Sequence, residues 1–177
     1  MSRVSRGAGL KMSFDVESQP GVLPPTGFWD PIGLARDIDE ETVIKYRTAE
    51  LKHGRVAQLA VVGLLAASSS RFPGSIGDVN FADIPNSLEA LNAVPGAGWA
   101  QIAASIGFWE IYGWQQKGST PGDFGFQGSV VFKSDADELK AKNQELQHGR
   151  LAMIGIIELL SHNLARPDLP IFDLNFY

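Results

Sequence analysis

The sequence predicts an all-α membrane protein with three transmembrane helices, the first and third related by pseudo-two-fold symmetry. Three observations predict it: three mostly apolar segments of 18 residues each, a one-sided distribution of positive residues, and a hexapeptide that occurs twice. At roughly 1.5 Å per residue an 18-residue helix covers about 27 Å, close to the hydrocarbon thickness of a bilayer.

The first segment, Glu50 to Ala67, is polar for a turn and a half and then reads VAQLAVVGLLAA. Its helix is expected to begin near Asp39 and to run over about 39–69. The second, Ala97 to Trp114, is interrupted only by Gln101, Ser105 and Glu110, and predicts a helix over about 97–116. The third, Glu145 to His162, becomes apolar at LAMIGIIELL; Asp135, Asp137 and Glu138 suit the positive end of a helix dipole, so this helix is placed over about 135–164. The connections SSSRFPGSIGD and KGSTPGDFGFQGS are rich in chain breakers. The first connection leaves room for a short amphipathic helix from Ser87 to Val94. Residues 1–22 and 165–177 flank a single domain as tails. The opening MSRVSRGAGLKM is rich in Arg and Ser and has no acid before Asp15, which suits an organelle transit remnant or a solvated tail.

No run of 18 uncharged apolar residues exists, so plain hydropathy marks no span. The charges speak instead. With three spans, Arg3, Arg6, Lys11, Arg36, Lys45, Arg47, Lys52, Lys117, Lys133, Lys140 and Lys142 fall on one side, and only Arg71 and Arg166 on the other. That asymmetry is the one expected when the N-terminus lies on the positive side. A net charge of −5 excludes nucleic acid as a partner, since phosphate binding needs clustered cations. The chain has no cysteine, which removes disulfides, thiolate catalysis and cysteine-ligated metals.

The repeated hexapeptide is ELKHGR, Glu50 to Arg55, and ELQHGR, Glu145 to Arg150. Extended to ELKHGRVAQLA and ELQHGRLAMIG, the copies share Glu, Leu, His, Gly, Arg and Ala at an offset of 95. The first and third spans run in the same direction, so a two-fold axis along the membrane normal can relate them. Within one helix Glu50 and His53 share a face, whereas Arg55 points about 140° away from Glu50. A charge near the bilayer costs roughly 2.5–3.5 kcal/mol and needs a partner. Two-fold symmetry supplies one reciprocally: Glu50 with Arg150, and Glu145 with Arg55. Gly54 and Gly149 would let the backbones approach for it.

A carboxylate neutralised in this way keeps a free lone pair, and His53 and His148 each offer a ring nitrogen. Such groups suit the axial position of a magnesium already balanced by its own macrocycle. A bare di-iron centre is the rival, because Glu-x-x-His on two helices is half of a ferritin-like site, although the arginines consume the negative charge it needs. The plainest reading is a pair of helix-packing salt bridges with incidental histidines. Glu110, an acid with no partner in its own span, is a further functional candidate.

At ELKHGRVAQLA and ELQHGRLAMIG, preceded by GFWDPIGL at Gly27 to Leu34, the sequence resembles the light-harvesting chlorophyll-binding superfamily. NFADIPNSL from Asn80, GWAQI from Gly98 and GDFGF from Gly122 are similar to the chlorophyll a/c branch, the fucoxanthin or peridinin proteins of algae with secondary plastids. The resemblance covers about Leu23 to His162. It implies a multi-pass protein of the plastid thylakoid membrane, N-terminus stromal and C-terminus lumenal, with crossed first and third helices. It further implies chlorophyll a, chlorophyll c, a fucoxanthin or peridinin-type carotenoid, a diadinoxanthin-type xanthophyll and bound lipids. The chlorophyll ligands carried over are Glu50, His53, Gln101, Glu110, Glu145, His148 and His162. Trp29, Asp30, Pro31 and Leu34, and then Asp123, Phe124 and Phe126, stand where the family contacts carotenoid; turn chemistry and interfacial aromatic anchoring explain the same residues. Glu158 receives no role.

The function expected is an antenna and not an enzyme, passing excitation to a photosystem core (I or II) and to other antenna subunits among thylakoid lipids. A photoprotective, energy-dissipating member of the same family is the alternative, and a di-iron carboxylate protein a more remote one.

Overall fold

The computed structural model describes residues 19–35, 38–113, 121–125, 132 and 134–166. Helix α1 spans Glu40–Ser69. Asp39 takes its N-cap position, and its carboxylate accepts the Thr42 hydroxyl at 2.6 Å, which holds the acid below its ordinary pKa. Glu40 and Glu41 fill the first turn, where the dipole favours anions. A run of serines ends the helix: the hydroxyls of Ser68 and Ser69 donate to the carbonyls of Leu64 and Ala66 at 2.8 and 3.1 Å, and the Ala66 carbonyl also accepts the Ser70 amide at 2.9 Å.

The first connection is more structured than its composition predicts. Strands β1 (Ser75–Ile76) and β2 (Val79–Asn80) form an antiparallel hairpin turning at Gly77, whose φ of +60° suits a residue without Cβ. Two-residue strands are too short to show alternation, so the sequence carries no signal for them. A 3₁₀ turn at Ser87–Glu89 then leads into α2 (Ala90–Ala93), where the sequence suggests one amphipathic helix.

Helix α3 spans Gly96–Phe108 and continues as a π turn over Trp109–Gly113. The regular part is thus shorter than the expected 97–116, of which 114–116 lie outside the described residues. The widened turn carries a cluster of rings, with Phe108 5.7 Å from Trp109 and 5.2 Å from Tyr112. Helix α4 spans Asp135–Ala165, capped by Ser134, whose hydroxyl oxygen accepts the Asp137 amide at 3.3 Å.

Helices α1 and α4 meet at their glycines. A Cβ on Gly54 would lie 2.9 Å from the Gly149 Cα, and one on Gly149 would lie 3.1 Å from the Gly54 Cα. Among the described residues the buried apolar set is small: Val43, Leu51, Ala57, Phe124 and Leu146. Leu51 and Ala57 flank Gly54, and Leu146 precedes Gly149 by one turn. Further along, Leu59, Val62, Leu151, Ile154 and Ile157 are exposed, as expected of helices that touch at one point and then diverge.

Among the described residues no helix is long and apolar enough to cross a membrane. Two features lower the hydropathy. Both long helices carry a charged hexapeptide, and α3 has only 13 regular residues. Hydropathy counts each charge singly and cannot register its neutralisation by another helix.

The contact predicts its own sensitivity. Gly149→Ala is expected to destabilise the protein by about 1–3 kcal/mol, the usual cost of overpacking a close contact. Gly63→Ala, where nothing lies within 4 Å of the added methyl, leaves the melting temperature unchanged or raises it. Thermal unfolding followed by circular dichroism compares the two.

Candidate functional site

Where α1 and α4 meet, each hexapeptide places its arginine against the other copy's glutamate. Arg150 Nε donates to Glu50 Oε1 at 2.8 Å, and Arg55 Nε donates to Glu145 Oε1 at 2.6 Å. The four side chains are about one-third exposed, so solvent screens these pairs only partly. Each arginine then reaches the loop leading into the opposite helix. Arg150 Nη1 donates to the Gly21 carbonyl at 2.7 Å, and Arg55 Nη1 to the Gly122 carbonyl at 3.1 Å.

Both loop glycines have positive φ, +93° at Gly21 and +77° at Gly122, and both lie against a buried leucine. A Cβ on Gly21 would fall 2.8 Å from Leu146 Cδ1, and one on Gly122 2.5 Å from Leu51 Cδ1. Sequence reasoning missed these two positions. The available signal was the Pro-Gly dipeptide at 20–21 and again at 121–122, a turn mark ahead of each long helix.

The two halves are not equivalent. Glu50 uses both oxygens, because Arg47 Nη1 donates to its Oε2 at 2.5 Å. Glu145 receives Arg55 through Oε1 alone, and its Oε2 takes no hydrogen bond from a described residue. The Gly21 loop has an additional tie, its amide donating to Asn143 Oδ1 at 2.7 Å.

The histidines share one geometry. His53 Nδ1 lies 2.7 Å from the Ala49 carbonyl, and His148 Nδ1 lies 2.8 Å from the Gln144 carbonyl. A carbonyl only accepts, so Nδ1 carries the proton, and in the neutral ring Nε2 keeps its lone pair. Both rings stand on exposed helix faces. Such a backbone bond is how proteins fix the tautomer and orientation of a metal-binding imidazole.

Glu110 requires a correction. Considered within its own helix it is an unpaired acid, but the structure pairs its Oε2 with Lys52 Nζ at 2.8 Å. Spacing along one helix cannot reveal a partner on another. The contact also sets the C-terminal end of α3 beside the hexapeptide of α1. Gln101 is exposed on α3, as is His162 in the last turn of α4. Glu158 is exposed as well, and nothing in the structure gives it a role.

In the loop before α1, Asp30 works as a turn residue: Oδ1 accepts the amides of Gly33 and Leu34, and Oδ2 that of Ala35, all at 2.9 Å. Trp29, Pro31 and Leu34 remain exposed, Trp29 at 75%. Asp123 repeats this role before α4, accepting the Gly125 amide at 2.9 Å. Phe124 is buried beside α1. It is only 5% exposed, with Arg55 and Lys52 5.3 and 5.5 Å from its ring centroid. Phe126 lies outside the described residues.

The donor set can be tested against the two kinds of metal. Among the described residues no three His, Asp or Glu side chains gather as a site for a bare ion, which disfavours the di-iron reading. Single donors, each an imidazole or an arginine-paired carboxylate, would suit magnesium ions that take one protein ligand apiece.

Residues 16–164 match the family model described as Chlorophyll A-B binding protein. The chain is 42% identical over 164 residues to fucoxanthin-chlorophyll a-c binding protein B, chloroplastic, of Macrocystis pyrifera, covering 88% of this chain and 75% of that protein. It is 41% identical to protein D of that organism, covering 86% and 88% of the two chains. It is 43% identical to the F protein of Phaeodactylum tricornutum, covering 82% and 78%.

The unequal cation supply ranks the arginines. Removing one partner of a buried pair costs about 3–5 kcal/mol. Because the pair is partly exposed, Arg55→Leu is expected near the low end of that range, since no other cation among the described residues pairs with Glu145. Arg150→Leu should cost less, because Arg47 still faces Glu50. Equal melting temperatures for the two variants would contradict this order.

Proposed function

The chain belongs to the chlorophyll A-B binding protein family, and on that premise we propose that it is a light-harvesting antenna of the thylakoid membrane. The observation that carries the reading is the repeated donor geometry, two histidines with Nδ1 tied to their own helix and Nε2 turned outward. In this reading His53, His148, Glu50 and Glu145 are axial ligands of chlorophyll magnesium, joined by Gln101 and Glu110 on α3 and by His162 at the end of α4. Bound chlorophylls and carotenoids supply the light absorption and the transfer of excitation. The chain supplies spacing and orientation, set by two helices locked at one crossing.

The membrane setting follows the same logic. Helices α1, α3 with its π turn, and α4 are the three spans, N-terminus stromal and C-terminus lumenal. Support comes from the sorting of Lys and Arg by side and from the cross-pairing that neutralises Glu50, Glu145, Arg55 and Arg150. The exposed apolar faces of α1 and α4 suit pigment tails and lipid acyl chains. Chlorophyll a and c with a fucoxanthin-type carotenoid are the proposed pigments, in keeping with what the relatives' names say they bind. A diadinoxanthin-type xanthophyll is proposed beside them. Excitation then passes to a photosystem core and other antenna subunits.

Absorption and pigment chromatography of the purified complex test the proposal. Chlorophyll bands are expected, and His53→Leu and His148→Leu should each lose a chlorophyll. A nanosecond-scale excited-state lifetime supports harvesting, whereas a strongly shortened one identifies a quencher. For topology, protease added to intact thylakoids should remove an N-terminal epitope tag and spare a C-terminal one.

A further inference from the structure

Within the two hexapeptides one position differs: Lys52 in the first copy is Gln147 in the second. The fold supplies a reason. The π turn after α3 reaches α1 through Glu110, which pairs with Lys52, and Gln147 at the matching place on α4 is exposed. A cation at position 52 therefore has an acid to meet.

Three carboxylates proposed as ligands are thus each met by a cation from a different helix: Glu50 by Arg150, Glu145 by Arg55 and Glu110 by Lys52. Lysine suits the third case chemically. Its ammonium is a point donor that holds one oxygen, whereas a guanidinium can occupy both. Lys52 engages Oε2 at 2.8 Å, and Oε1 takes no hydrogen bond from a described residue. The ammonium also lies 5.5 Å from the Phe124 ring centroid, a contact that further fixes its position. Glu110 itself belongs to a π turn, a local widening often found at functional sites.

We propose that Lys52 is a positioning residue that neutralises Glu110 and leaves its Oε1 to a chlorophyll magnesium, so that α3 carries a third charge-compensated pigment site. The inference rests on the reading of Glu110 as a ligand. It also links the Lys-to-Gln difference between the copies to the acid that Lys52 meets.

The test uses the full complex and counts pigments by chromatography, with circular dichroism reporting helix content. Lys52→Gln, which makes the first copy read like the second, should lose a single chlorophyll and keep the rest. The double variant K52Q/E110Q should regain it, because an amide oxygen ligates magnesium without needing a counter-charge. A bridge that merely anchors α3 predicts no such recovery, since the double variant still lacks the ion pair. Should K52Q fail to assemble, recovery of assembled complex in the double variant supports the proposal, and its failure overturns it. An unchanged pigment count in K52Q overturns the role of Lys52. Glu110→Leu separates the premise: if that variant keeps every pigment, Glu110 is no ligand and both readings fall, whereas its loss beside an intact K52Q removes only the inference about Lys52.

Discussion

The structure depends on one exchange, in which each long helix gives its glutamate to the other helix's arginine. Five residues of separation along a helix turn Glu50 and Arg55 to different faces, so neither can satisfy the other. Their neutralisation therefore requires a second helix at hydrogen-bonding distance. Close approach follows, and glycine is the residue that permits it at Gly54 and Gly149. The same guanidinium groups continue to the carbonyls of Gly21 and Gly122, so the loops before both helices are positioned by the charges that join them. Helix pairing, loop placement and charge balance share one set of atoms.

Duplication explains the likeness of the halves, and surroundings explain their differences. Among the described residues Glu50 is held by two arginines and Glu145 by one. Lys52 faces an acid on α3, and its counterpart is an exposed glutamine. Two sites built from one motif consequently present different charge to whatever they bind. Under the proposed antenna function, such inequivalent sites would shift pigment energies differently.

The small buried apolar set fits a chain whose interior is completed by other molecules. Only a few side chains around the crossing are covered by protein, while Leu151, Ile154 and Ile157 stand in open space. Burial of apolar surface is the main favourable term in folding, and under the proposed function pigment and lipid would cover what the described residues leave exposed. This also explains why composition alone resembles that of a soluble protein. Among the charges that lower the mean hydropathy, Glu50, Arg55, Glu145 and Arg150 neutralise one another across the crossing.

Much of this was legible without coordinates. The offset of 95, the spacing of Glu, His and Arg, and the side-by-side sorting of cations are linear patterns, and they determined the helical class, the doubled motif and the reciprocal partners. What the linear pattern could not carry were contacts between segments with no internal relation. Lys52 reaches Glu110 across 58 positions, Gly21 reaches Asn143 across 122, and Phe124 slips beneath two cations of α1 instead of facing outward. The backbone bonds that turn His53 and His148 outward are local, yet the choice of ring nitrogen is a matter of rotamer and not of residue type. The sequence alone determined which groups must be paired, because spacing and the cost of a lone charge are properties of the chain. Tertiary structure decided which oxygen remains free and on which side the third helix lies, because those depend on packing between elements that the sequence never sets side by side.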